Sequence, residues 1–341
     1  MHHHEWGWMI VVYLFLGGLG AGSLVISSAA HLTRRGSLLD IVHAGAVLAA
    51  PCVAAGSLLL LFDLGRPEVA WKLFTHLNVV SPMSVGSWLL MVFLAVAAIH
   101  ALLHVRPDWL EALAARRLGP PGALRRLAEW NRAEWSVRDG VASSVEYPGS
   151  PARVRQVRRA VAAIGVPLGL GVGIYTGVLL GAIPARPFWN TPMVAQLFLF
   201  SALSTASALL LLALPVLSRR SDPTRPQDGR MLLRLDLVFI VLELFLIVPY
   251  VIHGQLSTLS ARTAQQMILG GPYTMVFWFG VVAFGILAPM LLELIDLSGV
   301  AARVRRPLRW VIHYGAPVLV LFGGYLLRWV FVHAGQDTHF I

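Results

Sequence analysis

Trp8-Met9-Ile10-Val11-Val12-Tyr13-Leu14-Phe15-Leu16-Gly17-Gly18-Leu19-Gly20-Ala21-Gly22-Ser23-Leu24-Val25-Ile26-Ser27-Ser28-Ala29-Ala30-His31 runs for 24 residues without a formal charge. As a helix it is about 36 Å long, enough to cross roughly 30 Å of hydrocarbon. Seven further stretches have the same character, at about 42–62, 82–104, 160–182, 192–217, 233–253, 272–296 and 310–333. A backbone crossing lipid must satisfy its own hydrogen bonds, and these runs are too long and too uniformly apolar for barrel strands. The expected fold is therefore an all-α integral membrane bundle of eight transmembrane helices.

Composition agrees. Hydrophobic residues make up 57% of the 341 positions and charged residues 13%, against about 25% charged in a soluble domain. The net charge of +10 would suit nucleic acid in a soluble protein, but here the basic residues lie between apolar runs, so no nucleic-acid partner is expected. Of the 27 lysines and arginines, 22 fall in alternate connections: Arg34 and Arg35, eleven from Arg106 to Arg159, five from Arg219 to Arg234, and four from Arg303 to Arg309. Arg66, Lys72, Arg186, Arg262 and Arg328 belong to the opposite side. The positive-inside rule then places the arginine-rich connections in the cytoplasm and both termini outside. Met1 to Trp8 is too short and polar for a cleavable signal, so the first run is expected to stay as a helix. The single Cys52 excludes an intramolecular disulfide and any Cys-ligated iron–sulfur or zinc site within the chain. His2-His3-His4 is assigned no role.

Residues 105–159 form one long basic cytoplasmic connection, whose apolar residues recur at helical spacing with arginines between them, as in Leu124-Arg125-Arg126-Leu127-Ala128-Glu129-Trp130. Interfacial helices on the inner leaflet are expected, in preference to a soluble docking domain. A parallel repeat is also suggested. Ser81-Pro82-Met83 and Thr191-Pro192-Met193 each open an apolar run, and each follows a loop with Arg-Pro (Arg66-Pro67, Arg186-Pro187) and a tryptophan (Trp71, Trp189).

The glycines of the first run are explained by close helix packing alone. Asp63-Leu64-Gly65-Arg66-Pro67 sets an acid and a base three apart at a helix end, where they can pair and cap or place a proton carrier at the mouth of a cavity. These features, together with Ser81-Pro82-Met83-Ser84, Gly86, Trp88, Tyr175-Thr176-Gly177, Pro187-Phe188-Trp189-Asn190 and Ser201-Ala202-Leu203-Ser204-Thr205, resemble in order the NrfD/PsrC family. The resemblance covers essentially the whole chain. It implies a helical bundle in a prokaryotic cytoplasmic membrane, without haem or metal of its own, that exchanges electrons between menaquinone or ubiquinone and a partner iron–sulfur subunit. That partner in turn serves a molybdenum or tungsten catalytic subunit, both docked on the outer face. Oxidoreductase activity would then arise only in the complex.

Depth along the helices offers an independent check. Tyr13, Tyr175 and Arg328 come from three different runs yet lie about 8–10 Å below the outer end of each. Asp63, Arg66, Trp189, Asn190, His253 and Gln255 would sit above them. Polar groups at that depth pair or face a cavity, and an apolar pocket with a few hydrogen-bonding groups suits a quinone. The family's pocket uses polar side chains of the first helix and a tyrosine of the fourth, which Tyr175 matches. Tyr13 stands where some members carry histidine. A tyrosine, with an ordinary pKa of about 10, relays protons poorly at neutral pH, so the expected proton donor moves to Asp63, with His253 beside it. Trp189 reads equally as an interface anchor, and Arg328 as a bridge between helices.

On the sixth run Asp236, Glu243 and Tyr250 recur every seven residues, which places them near one helix face. Glu243 is a lone carboxylate in mid-membrane, expected either to carry protons or to be held protonated by a neighbouring helix. Glu293 and Asp296 extend the series or meet cytoplasmic arginines. Two other readings remain at this point. One is a secondary transporter coupled through Glu243 and Asp236. The other is a dihaem b-type cytochrome using pairs among His43, His100, His104, His313, His253 and His333. A membrane tether without a site of its own is a third.

Overall fold

The computed structural model describes residues 6–33, 38–63, 78–79, 81–116, 118–136, 151–217, 226–300 and 305–338. They form α1 (Trp8–Leu32), α2 (Leu39–Asp63), α3 (Pro82–His104), α4 (Pro107–Ala115), α5 (Pro121–Ser136), α6 (Ala152–Gly181), α7 (Pro192–Leu217), α8 (Pro226–Leu256), α9 (Leu259–Leu269), α10 (Val276–Leu297) and α11 (Arg306–Gln336). Eight of these, α1, α2, α3, α6, α7, α8, α10 and α11, are long and apolar enough to span a membrane. No strand occurs among the described residues. The protein is an all-helical integral membrane bundle.

Helix ends follow the charge pattern. α6 begins eight residues before its apolar run and α8 seven before its own, and both extra segments carry arginines: Arg153, Arg155, Arg158 and Arg159 on α6, Arg230 on α8. A helix does not stop where hydrocarbon stops: exposed arginines such as Arg153 can keep their heads in the polar layer, while Arg158 is buried. At the other end α3 and α7 start alike. Each has proline at its first position, where the missing N–H costs nothing. Ser81 Oγ accepts from Ser84 N at 3.4 Å, and Thr191 Oγ1 accepts from Met193 N at 3.4 Å. α10 opens as a π-helix from Val276 to Leu287.

α1 lies at the centre. It packs against α2, α6, α7 and α11, and α2, α3, α6 and α1 close into a ring of four. α7, α8, α10 and α11 form a second group, joined to the first chiefly through α1 and α7. Glycine makes this possible: a Cβ on Gly20 would lie 2.6 Å from the Ala49 carbonyl of α2, and one on Gly22 would lie 2.5 Å from the Ala202 carbonyl of α7. Backbones that close gain van der Waals contact, the main attraction available where lipid removes the hydrophobic drive between helices. The two ends of the chain meet, since Trp6 N donates to Gln336 Oε1 at 2.7 Å and Gln336 Nε2 donates to Trp6 O at 3.0 Å.

The connection between α3 and α6 contains the two helices α4 and α5 among its described residues. α4 and α5 pack on each other through Leu110, Ala114, Leu124 and Ala128. Asn131 Nδ2 donates to Leu102 O at 3.2 Å and Val105 O at 2.8 Å, capping the last turn of α3. Arg158 donates to Asn131 Oδ1 at 2.7 Å and Leu103 O at 3.1 Å. One arginine and one asparagine thus hold the hairpin to the bundle. Residues 137–150 lie outside the described residues.

Replacing Gly22 with Val should force α1 and α7 apart. Overpacking of this kind costs about 1–3 kcal/mol, so the variant should unfold at lower temperature than wild type in a thermal scan of the purified protein, whereas Gly122→Ala, which meets nothing within 4 Å, should not.

Candidate functional site

The polar residues expected to share one outer layer fall in three places. The first is the four-helix ring at the end of the bundle that carries the termini. Tyr13 of α1 is 1% exposed and its hydroxyl has no hydrogen-bond partner. Tyr175 of α6 is close enough to influence it electrostatically and donates its own hydroxyl to Pro82 O at 3.1 Å. The Tyr175 ring lies across α3 at Gly86, where any Cβ would overlap it. Ser57 Oγ of α2 and Trp88 Nε1 of α3 are also buried without a partner. Tyr13, Ser57, Trp88 and Tyr175 sit five or six residues inside their helices, about 8–9 Å down at 1.5 Å per residue. All four helices of one ring thus present polar groups at one level, and three of those groups are unsatisfied. Buried polar atoms are nearly always paired, so such a set calls for a ligand or ordered water. Asp63 is half-buried at the termini end of α2. Arg66 and Trp71 lie outside the described residues.

The second place is the interior of the other helix group. Arg328 of α11 is fully buried. Its Nη1 donates to Ser201 Oγ of α7 at 3.0 Å and Gly324 O at 2.6 Å, while Nε and Nη2 have no hydrogen-bond partner. Nη2 lies against α1, 2.9 Å from where a Cβ on Gly18 would be, and the guanidinium carbon stands 5.7 Å from the Phe15 ring and 5.5 Å from the Phe198 ring. Glu243 of α8, 5% exposed, borders Ser201 and is the carboxylate that Arg328 feels. Two turns further along α8, Asp236 accepts from Ser204 Oγ at 2.6 Å. The Glu293 carboxyl of α10 reaches the Asp236 carboxyl. One turn on from Glu293, Asp296 meets His313 Nδ1 of α11 at 3.1 Å, a histidine rather than an arginine. These acids form a chain from mid-membrane toward the arginine-rich end.

The third place is a cleft of about 190 Å³ at the termini end, lined by Phe188, Asn190, Thr191, Tyr250, His253 and Gln265 among others. Asn190 and His253 therefore lie in one site together, separate from the ring of Tyr13 and Tyr175. Trp189 is buried: its Nε1 donates to Phe331 O at 2.6 Å, its ring stacks on Trp6 at 5.3 Å, and Gly335 leaves room for it. Tyr250 donates to Phe188 O at 2.9 Å and packs on Phe331 at 5.3 Å. Gln255 Nε2 is buried without a partner.

At the arginine-rich end the histidines contact one another. His104 Nε2 lies 3.1 Å from His31 Nδ1, and His100 Nε2 lies 2.9 Å from Ser27 Oγ. A porphyrin cannot pass between imidazoles in direct hydrogen-bond contact, so His31 and His104 as placed are not facing axial ligands. Among the described residues no group of three or more His, Cys, Asp or Glu could hold a metal ion.

Ser57 and Trp88 are the polar groups that the sequence reading did not assign. Counting depth on α2 and α3, as for Tyr13, finds both. Neither carries a charge, so neither stands out in an apolar run.

The fold and these buried groups define a polytopic helical membrane protein with polar sites inside each of two helix groups. Residues 2–339 match the family described as "Polysulphide reductase, NrfD". The chain belongs to that family and is an oxidoreductase-associated membrane protein. It is 30% identical to "Protein NrfD" of Escherichia coli K12, over 98% of this chain and 95% of that protein. It is 31% identical to one of the chains of the polysulfide reductase of Wolinella succinogenes, over 97% and 94%. It is 26% identical to one of the subunits of the selenate reductase of Mesobacillus selenatarsenatis, over 85% and 66%.

The two ring tyrosines should separate in stability. Tyr175→Phe loses a hydrogen bond worth about 1 kcal/mol, whereas Tyr13→Phe removes an unsatisfied hydroxyl at no cost. Thermal unfolding should show a lower midpoint for Tyr175→Phe alone. An equal loss in Tyr13→Phe would mean that its hydroxyl is engaged in the folded protein.

Proposed function

We propose that this chain is the quinone-binding membrane subunit of a multisubunit oxidoreductase. It exchanges electrons between the quinone pool and a partner iron–sulfur subunit, which serves a molybdenum or tungsten catalytic subunit. The termini end faces the outside of a prokaryotic cytoplasmic membrane and receives the partners; the arginine-rich end faces the cytoplasm, as the distribution of basic residues supports. The observation that carries the reading is the unsatisfied Tyr13 hydroxyl in a ring of four helices that also holds Tyr175, Ser57 and Trp88. The names of the related proteins, from polysulfide and selenate reductases, support the same conclusion.

A quinone fits this donor set, because it needs an apolar body and hydrogen bonds at two carbonyl oxygens, and Tyr13 O–H and Trp88 N–H are unused donors. When bound, a quinone supplies two-electron, two-proton chemistry at those oxygens. Tyr13 and Trp88 orient the carbonyls, Tyr175 fixes the wall against α3, and the apolar residues of the ring exclude water. Asp63, half-buried at the end of α2, holds and passes the proton between this ring and the outer surface. His253, in the neighbouring cleft beside Asn190, serves proton exchange at the same face. Glu243, Asp236 and Glu293 provide proton sites in the second helix group, with Arg328 between the two groups.

Gentle purification from native membranes, with protein identification and quinone extraction, tests the reading. An iron–sulfur partner and bound quinone should co-purify; a lone polypeptide without quinone would overturn it. In such a complex Tyr13→Phe should raise the KM for quinol about tenfold, the cost of one lost ligand hydrogen bond near 1.4 kcal/mol. Asp63→Asn should abolish quinone-linked turnover with the complex still assembled, and unchanged turnover would remove Asp63 from the mechanism.

A further inference from the structure

Asp236 and Glu293 meet in the bundle interior on α8 and α10, both fully buried. Ser204 Oγ of α7 donates to Asp236 Oδ1, and among the described residues no other donor serves the two acids: Asp236 Oδ2 and both Glu293 oxygens are buried without a hydrogen-bond partner. Nor does any described arginine or lysine reach them. The groups that face them are Glu243 one way along α8, Asp296 on α10, and beyond it His313 of α11. The buried cation, Arg328, bonds Ser201 and Gly324, and the carboxylate within its electrostatic reach is Glu243.

Two neighbouring carboxylates on packed helices, fully buried and without a countercharge, cannot both ionise. We propose that Asp236 and Glu293 together bind one proton at neutral pH, as an acid–carboxylate pair that exchanges that proton with the arginine-rich face through Asp296 and His313. On the other side the route is closed. Phe188, Phe198, Tyr250 and Phe331 fill the space beyond Glu243 and Arg328 with ring centroids 5.3–5.8 Å apart. The proton therefore passes from the pair to Asp296, then to the His313 imidazole and to water at that face, and returns by the same groups.

The inference deepens the proton-transfer part of the function proposed above, and its test needs no quinone. Infrared spectra of the purified complex at neutral pH, where exposed carboxyls are ionised, should contain a carboxylic-acid C=O band that shifts in D2O. Asp236→Asn and Glu293→Gln should each move this band, and the double variant should abolish it, with Glu243→Gln leaving it in place. A spectrum that the double variant does not change would overturn the proposal, as would a band that appears only when sodium is withdrawn, since sodium would then be the ion held. Deuterium exchange into the band should slow at least tenfold in His313→Leu; an unchanged rate would overturn the route through Asp296 and His313. Quinone content and quinol turnover of the same preparations report on the ring of Tyr13 and leave the band's assignment untouched.

Discussion

A guanidinium buried in the bundle interior is the constraint around which this bundle is arranged. A charge in hydrocarbon costs several kcal/mol even after relaxation, so Arg328 can sit in α11 only if other helices come to it. Ser201 of α7 accepts from it, Glu243 of α8 is the carboxyl within its electrostatic reach, and Gly18 lets α1 lie flat against its free edge. The rings of Phe15 and Phe198 cover its faces. Four helices are thereby fixed in one register. Because one of them is α1, which also closes the ring with α2, α3 and α6, the same side chain sets the position of one helix group against the other.

That arrangement separates two kinds of chemistry without isolating them. The ring around Tyr13 offers neutral donors, suited to a ligand that gains and loses electrons. The group around Glu243 offers carboxyls, suited only to protons and cations. Arg328 touches α1 at Gly18, five residues from Tyr13, and faces Glu243 on its other side. A change of charge in the ring would be felt first by this cation, because in a low-dielectric interior the interaction falls only slowly with distance.

The spans were legible in the sequence because length and apolarity in lipid are nearly sufficient conditions for a helix. Their arginine-rich ends were not. α6 and α8 continue for two turns into a charged segment that an apolar-run criterion discards. α9 was missed for a related reason: it is short, and only the Thr258 cap, accepting from Ala261 N at 3.3 Å, marks its start. For the sites, counting residues from a helix end recovers depth but not azimuth. It placed Tyr13, Tyr175 and Arg328 at similar levels, yet the first two meet and the third faces a different helix group. Trp189 and Tyr250 show the same limit, since their donors are taken by the carbonyls of Phe331 and Phe188. The seven-residue spacing of Asp236, Glu243 and Tyr250 did hold as a shared helix face. It could not reveal that an aromatic cluster stands between Glu243 and the termini end.

That cluster bears on the direction of any proton flow. Phe188 comes from the loop before α7, Phe198 from α7, Tyr250 from α8 and Phe331 from α11, so each element of the acid-bearing group other than α10 contributes a ring. Packed aromatic rings leave no line of hydrogen bonds, and the Tyr250 hydroxyl, which could have continued one, is committed to the Phe188 carbonyl. The acid chain thus leads toward the arginine-rich end through Asp296 and His313, and packed rings stand between Glu243 and the termini end. Under the proposed function, protons at the two sites would be exchanged at opposite ends of the bundle. Arg328, against α1 at Gly18 and bonded to Ser201 of α7, lies between the two groups.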